Sequence, residues 1–184
     1  GMADGQRIFA VRYVEERAYV VTFRRVDPFH VIDLSDPSDP VELGMKKLPG
    51  FSRYLHPIDE NHVLGIGEED GHVKAVLFDV TDPSNPTIDD SQVYARHWSA
   101  VSRTHHAFTI DRRHGVFFLP AGQEGLVVDY TNDTLSTETT VRTDGARRAR
   151  YVGDYLYVFG QREVVVVDET DWSVVTRLEL ASER

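Results

Sequence analysis

An all-β fold built from four repeats, each the size of one four-stranded propeller blade, is predicted by three observations. One phrase recurs four times: Asp33-Leu34-Ser35-Asp36, Asp79-Val80-Thr81-Asp82, Asp129-Tyr130-Thr131-Asn132 and Asp168-Glu169-Thr170-Asp171. Its leading aspartates stand 46, 50 and 39 residues apart, the spacing of a strand-rich unit of about 40–50 residues. Each copy follows an apolar β-type run, and Gly, Pro, Asp and Asn interrupt the chain too often for a helical face to persist. The four blades either close as one ring or form part of a larger one.

Each repeat resolves into four strands. The first strands are expected at residues 8–14, 51–55, 105–110 and 149–152. The second, rich in β-branched and aromatic residues, are expected at 18–23, 62–67, 115–120 and 155–160. The third run directly into the recurrent aspartate, at 29–32, 75–78, 125–128 and 164–167. The fourth are more polar, at 41–47, 91–95, 135–142 and 173–180; the alternation of Thr176-Arg177-Leu178-Glu179-Leu180 marks a half-exposed outer strand. These strands define blades at about 7–50, 51–95, 105–143 and 147–181, within one domain at 7–184. Residues 1–6, beginning Gly1-Met2, are expected to be a tag remnant and a disordered N-terminus.

The recurrent phrase is expected to be a turn between third and fourth strands. An aspartate at a strand end accepts backbone N–H bonds, and prolines such as Pro37, Pro40, Pro83 and Pro86 fix φ and stop the ladder. The alternative is a calcium loop, since oxygen-rich turns suit hard cations, but the glycine and terminal glutamate of an EF-type loop are missing.

Composition narrows the functional classes. At 184 residues the chain is long enough to bury a core without staples, and the lack of cysteine excludes disulfides, thiolate metal sites and cysteine nucleophiles. A formal charge of −10 argues against a general nucleic-acid binder, which needs a basic face. No apolar run approaches the roughly 18 residues of a membrane span, so no membrane span is expected.

The stretch Phe29-His30-Val31-Ile32-Asp33-Leu34-Ser35-Asp36-Pro37-Ser38-Asp39-Pro40-Val41-Glu42-Leu43-Gly44 resembles the LVIVD repeat, a propeller-blade repeat of bacterial and archaeal surface proteins. Residues 7–86 are similar to secreted proteins with a C-terminal β-propeller domain; Tyr54-Leu55-His56-Pro57, His62-Val63-Leu64-Gly65-Ile66-Gly67 and Leu77-Phe78-Asp79-Val80-Thr81-Asp82-Pro83 carry the likeness. His106-Ala107-Phe108 and Gly153-Asp154-Tyr155-Leu156-Tyr157 extend it. The resemblance implies a propeller and an extracytoplasmic setting, and implies no catalytic residue.

Two patterns offer chemistry. Arg12-Tyr13, Arg53-Tyr54 and Arg150-Tyr151 recur in the first strands, with His106 at the matching place in the third repeat. Guanidinium forks there match a carboxylate or phosphate, making Arg12, Arg53, His106 and Arg150 candidate ligand-binding residues; pairing with carboxylates of neighbouring blades is the alternative. The connection at 87–104 carries His97 and leads to His105 and His106. His97 and His105 are candidate ligands for a transition metal, although adjacent histidines on a strand face opposite ways.

Ser99, Ser102, His105 and Asp111 supply the residue types of a nucleophilic triad without a nucleophile elbow. Glu68-Glu69-Asp70-Gly71 reads as a solvated hairpin tip, and Arg142, Arg147 and Arg148 as a solubilising patch. The function expected is a non-enzymatic binding or assembly module with no cofactor. It would present a loop face and channel mouth to a protein or anionic small molecule, as a homodimer or with partner blades. The alternative is a histidine- or metal-assisted hydrolase or lyase at the channel mouth.

Overall fold

The computed structural model describes residues 5, 7–23, 27–94 and 107–180. They form four antiparallel sheets of four strands, each wound in chain order. The first sheet holds β1 (Arg7–Val14), β2 (Arg17–Phe23), β3 (Asp27–Asp33) and β4 (Val41–Leu48). The second holds β5 (Phe51–Pro57), β6 (His62–Glu69), β7 (His72–Asp79) and β8 (Thr87–Tyr94). The third holds β9 (Thr109–Asp111), β10 (Val116–Ala121), β11 (Glu124–Asp129) and β12 (Ser136–Arg142). The fourth holds β13 (Arg148–Val152), β14 (Tyr155–Phe159), β15 (Glu163–Asp168) and β16 (Val174–Glu179). These are the meander sheets of propeller blades, and they divide into two compact units, residues 1–95 and 96–184.

The recurrent aspartate behaves alike in every sheet. Asp33, Asp79, Asp129 and Asp168 each accept, through Oδ1, the backbone N–H two residues on: Ser35 at 2.9 Å, then Thr81, Thr131 and Thr170 at 2.8 Å. Such an Asx turn replaces the ladder bond lost where the strand ends. A second carboxylate repeats the device, with Asp36 held by Ser38, Asp82 by Ser84 and Asp171 by Ser173.

Just before each turn the ladder between third and fourth strands slips by one residue, at Val31/Ile32, Leu77/Phe78, Val127/Val128 and Val166/Val167. A bulge of this kind bends an outer strand and changes which of its side chains face inward. The residue after the aspartate then returns to its own sheet. Leu34, Val80, Tyr130 and Glu169 donate N–H bonds to the carbonyls of Glu16, Asn61, Gly115 and Asp154, at 2.7, 2.7, 2.9 and 2.9 Å, closing the turn against the hairpin between first and second strands.

Packing follows the apolar strands. In the first unit Tyr19, Val21, Phe29 and Val31 of one sheet meet Leu55, Val63, Val76 and Phe78 of the next. Phe29 and Phe78 stack there with centroids 4.0 Å apart and planes 7° from parallel. Gly44 in β4 lets the two sheets meet closely, since a Cβ on it would lie 2.5 Å from the Pro83 carbonyl oxygen and 2.7 Å from Ser84 backbone. In the second unit Val116, Phe118 and Val127 pack with Ala149, Leu156, Val158, Val165 and Val167.

Two local readings change. β8 begins at Thr87, within the stretch read from sequence as a connection. Its Asp89-Asp90-Ser91-Gln92 run is an outer strand largely in water, so it carries no apolar signal. The tip at Asp70 and Gly71 does turn with positive φ, but Glu69 is not simply solvated. It pairs with the buried Lys74 ammonium, which also donates to the Pro49 carbonyl at 2.8 Å.

Candidate functional site

A cluster of titratable groups forms where the third sheet meets the fourth. Asp111 ends β9, and the turn that follows carries Arg113 and His114 into β10. Backbone geometry fixes the turn, because the Arg113 N–H donates to Asp111 Oδ1 at 2.8 Å. Side chains then tie it to the neighbouring hairpin. Arg113 donates to the Gly153 carbonyl and lies 2.8 Å from the Asp154 carboxylate, while Thr109 Oγ1 donates to the Ala149 carbonyl at 2.8 Å.

Glu169 enters from the other side, one residue beyond β15. It occupies the second position of the recurrent phrase, where Leu34, Val80 and Tyr130 stand in the other repeats. The backbone bond is the same in all four, so the fold there is indifferent to a carboxylate. Glu169 is nevertheless 3% exposed. His114 Nδ1 lies 3.0 Å from Asp111 Oδ2 and 3.4 Å from Glu169 Oε2, and the Arg113 guanidinium lies 3.7 Å from that same oxygen. Neither Glu169 oxygen makes a well-formed hydrogen bond among the described residues; the buried Tyr151 hydroxyl of β13 is likewise unsatisfied.

Electrostatics separates the two carboxylates. Burial first, and the Asp111 charge after it, push the Glu169 carboxyl up to about 7 against the opposing pull of His114 and Arg113. Burial also acts against Asp111, but bonds from His114 and the Arg113 backbone, with the two nearby charges, hold it below the ordinary carboxylate range. Burial pushes the Tyr151 phenol up, with Glu169 and Asp111 adding to the effect. Two carboxylates with opposed proton affinities, an imidazole and a dry phenol make a proton-holding or cation-holding site.

Of the residues singled out from sequence, Asp111 belongs to this cluster, while Arg12, Arg53 and Arg150 lie elsewhere. Arg12 Nε donates to the Leu55 carbonyl at 2.7 Å, and its guanidinium sits 4.8 Å from the Tyr54 ring centroid. Arg53 is exposed beside a register slip in β5, and Arg150 is exposed on β13 opposite Tyr157. His97, His105 and His106, with Ser99 and Ser102, lie outside the described residues. Arg142 pairs with Glu124 at 3.3 Å, and Arg147 and Arg148 are exposed.

A second feature is the open face of the fourth sheet. Leu156 and Val158 point into the core, so Tyr155, Tyr157 and Phe159 point the opposite way. Val152 stands opposite Tyr155, Val166 opposite Tyr157, and Val164 opposite both Phe159 and Leu178, giving one continuous face. Val152 is 56% exposed, Tyr155 39%, Phe159 40% and Leu178 59%. In the second and third sheets, by contrast, the runs Val63–Gly67 and Val116–Ala121 are buried on both faces.

The fold and the repeats define the class. A family model for the beta propeller domain matches residues 1–172, and the chain belongs to that family. Among its relatives are an uncharacterized protein of Archaeoglobus fulgidus, 47% identical over 98% of this chain and 29% of its own length, and an uncharacterized protein of Methanocaldococcus jannaschii, 38% identical over 97% of this chain and 29% of its own. The chain therefore spans less than a third of these relatives. The solved structure of apo AztD from Citrobacter koseri is similar in fold, with a TM-score of 0.60 at 12% identity, over 94% of this chain and 47% of that one. No helix among the described residues is long and apolar enough to cross a membrane.

Proposed function

We propose that this chain is a non-enzymatic assembly module of LVIVD-like blades, whose fourth sheet docks a further blade. The observation that carries this reading is the open face of Val152, Tyr155, Tyr157, Phe159 and Leu178 on a sheet whose opposite face is core. Propeller sheets are covered face to face by their neighbours, and an apolar sheet face left in water invites association. The lengths of the relatives support it: each has more than three times the chain matched here, ample for additional blades. In the 184-residue chain the docking blade comes from a second copy. An extracytoplasmic setting belongs to the same reading, as does recognition of anionic groups by Arg53 and Arg150, each exposed on the first strand of its own sheet.

Light scattering across a concentration series tests the proposal. The chain is expected to form dimers that the double substitution Tyr157→Lys with Phe159→Lys converts to monomers, with an unchanged β-type circular dichroism spectrum. A wild-type chain that stays monomeric at about 100 μM, where a contact of even modest affinity is populated, overturns it.

A further inference from the structure

The Asp111–His114–Glu169 cluster poses a problem that assembly of blades does not solve. A buried carboxylate without hydrogen-bond partners is costly, so proteins pair it, neutralise it or give it to a cation. The repeat architecture makes the cost avoidable: Leu34, Val80 and Tyr130 fill the equivalent position with no carboxylate. Glu169 is thus an addition to the blade plan, and its side chain is fully buried beside two other ligand-type groups.

The spacing of these groups is that of a coordination shell. Donor atoms of Asp111, His114 and Glu169 all lie within 4.8 Å of one another, and His114 Nδ1 is 3.0 and 3.4 Å from the two carboxylates. Ligands bonded at about 2.0–2.2 Å in a tetrahedral arrangement have neighbouring donor atoms roughly 3.4 Å apart. We propose that Asp111, His114 and Glu169 bind one divalent first-row transition-metal cation of the zinc or manganese type.

The donor set selects the class of ion. One imidazole nitrogen and two carboxylates suit a borderline cation, whereas calcium takes six to eight oxygens and magnesium retains most of its waters. Three protein ligands leave a place for water, and partly exposed His114 and Asp111 form the rim through which an ion enters. Arg113 stands at the edge of the site, its guanidinium 3.7 Å from Glu169 Oε2 and anchored by Asp154 and the Gly153 carbonyl.

Calorimetric titration of the chelator-stripped chain with zinc chloride and manganese chloride tests the site, with calcium and magnesium chloride as comparisons. Wild type is expected to take up zinc or manganese with a dissociation constant below about 10 μM, and Glu169→Gln and His114→Ala each to lose one equivalent. Thermal melts supply a second readout: the ion raises the wild-type midpoint and leaves that of Glu169→Gln unmoved. Glu169→Gln keeps the shape of the side chain, so its metal-free melt reports whether it folds. Absence of zinc and manganese uptake, uptake unchanged in both variants, or calcium binding as tightly as zinc would overturn the assignment.

Discussion

Gly44→Ala tests whether the signature turn of one blade is a packing surface for the blade before it. A methyl group at Gly44 would sit 2.5 Å from the Pro83 carbonyl oxygen and 2.7 Å from both the Ser84 carbonyl carbon and its oxygen. Carbon–oxygen contacts are comfortable near 3.4 Å, so the turn must retreat by roughly 0.7–0.9 Å. All three atoms are backbone, and the retreat pulls against the bonds that anchor Ser84 N–H and Oγ to Asp82. Overpacking of this kind costs about 1–3 kcal/mol, read as a lower midpoint in urea at an unchanged slope. Gly71→Ala is the control: it has nothing within 4 Å, but its φ of +78° gives a cost from backbone strain alone, about 1 kcal/mol. A Gly44→Ala chain as stable as wild type would refute the close approach of β4 to the Asp79–Asn85 turn.

Two further outcomes follow from the core and the cluster. Phe78→Ala removes a ring stacked 4.0 Å from Phe29 at zero exposure, and a loss of about 3–5 kcal/mol in chemical denaturation is expected; a loss below that of an exposed substitution would mean the two sheets do not share this core. In chelator, the raised Glu169 pKa of about 7 against 4.5 for a free glutamate makes folding take up a proton, so that stability is complete below pH 4.5 and is lost as pH rises through 7. The advantage of Glu169→Gln over wild type should therefore widen between pH 5 and pH 8 in parallel denaturation curves, whereas a constant gap would contradict it.

The blades were legible because their central strands are apolar over consecutive residues, as in Val63–Gly67 and Val116–Ala121, and because the aspartate turns punctuate them at a steady period. The outer strand β8 was not fully legible: its carboxylates and amides face water, and the bulge at Leu77/Phe78 changes the side-chain phase against its neighbour. The cluster was missed for a different reason. Asp111 was grouped with Ser99, Ser102 and His105 by residue type, and the role of His114 three residues later went unread. Comparison with Ile58-Asp59-Glu60-Asn61-His62 would have found it, since Asp59 Oδ1 and His62 Nδ1 pair at 2.9 Å in the equivalent turn. Glu169 carried its own signal as the sole charged residue in the second place of a four-times-repeated phrase. The tie of Arg12 to the next blade was not legible either, because a sequence gives no sign of a partner 43 residues away: its Nε donates to the Leu55 carbonyl.

The aspartate turns close on themselves, through bonds that reach two residues along the chain. The bonds that shape such a turn involve only its own residues, even where its outer surface packs on the blade before it, as at Gly44. A repeated blade therefore repeats a finished corner. The seams between blades are the reverse: Arg12 to Leu55 and Arg113 to Gly153 are private arrangements, each found once among the described residues. It is at a seam that one copy of the phrase carries Glu169 where the others carry Leu34, Val80 and Tyr130.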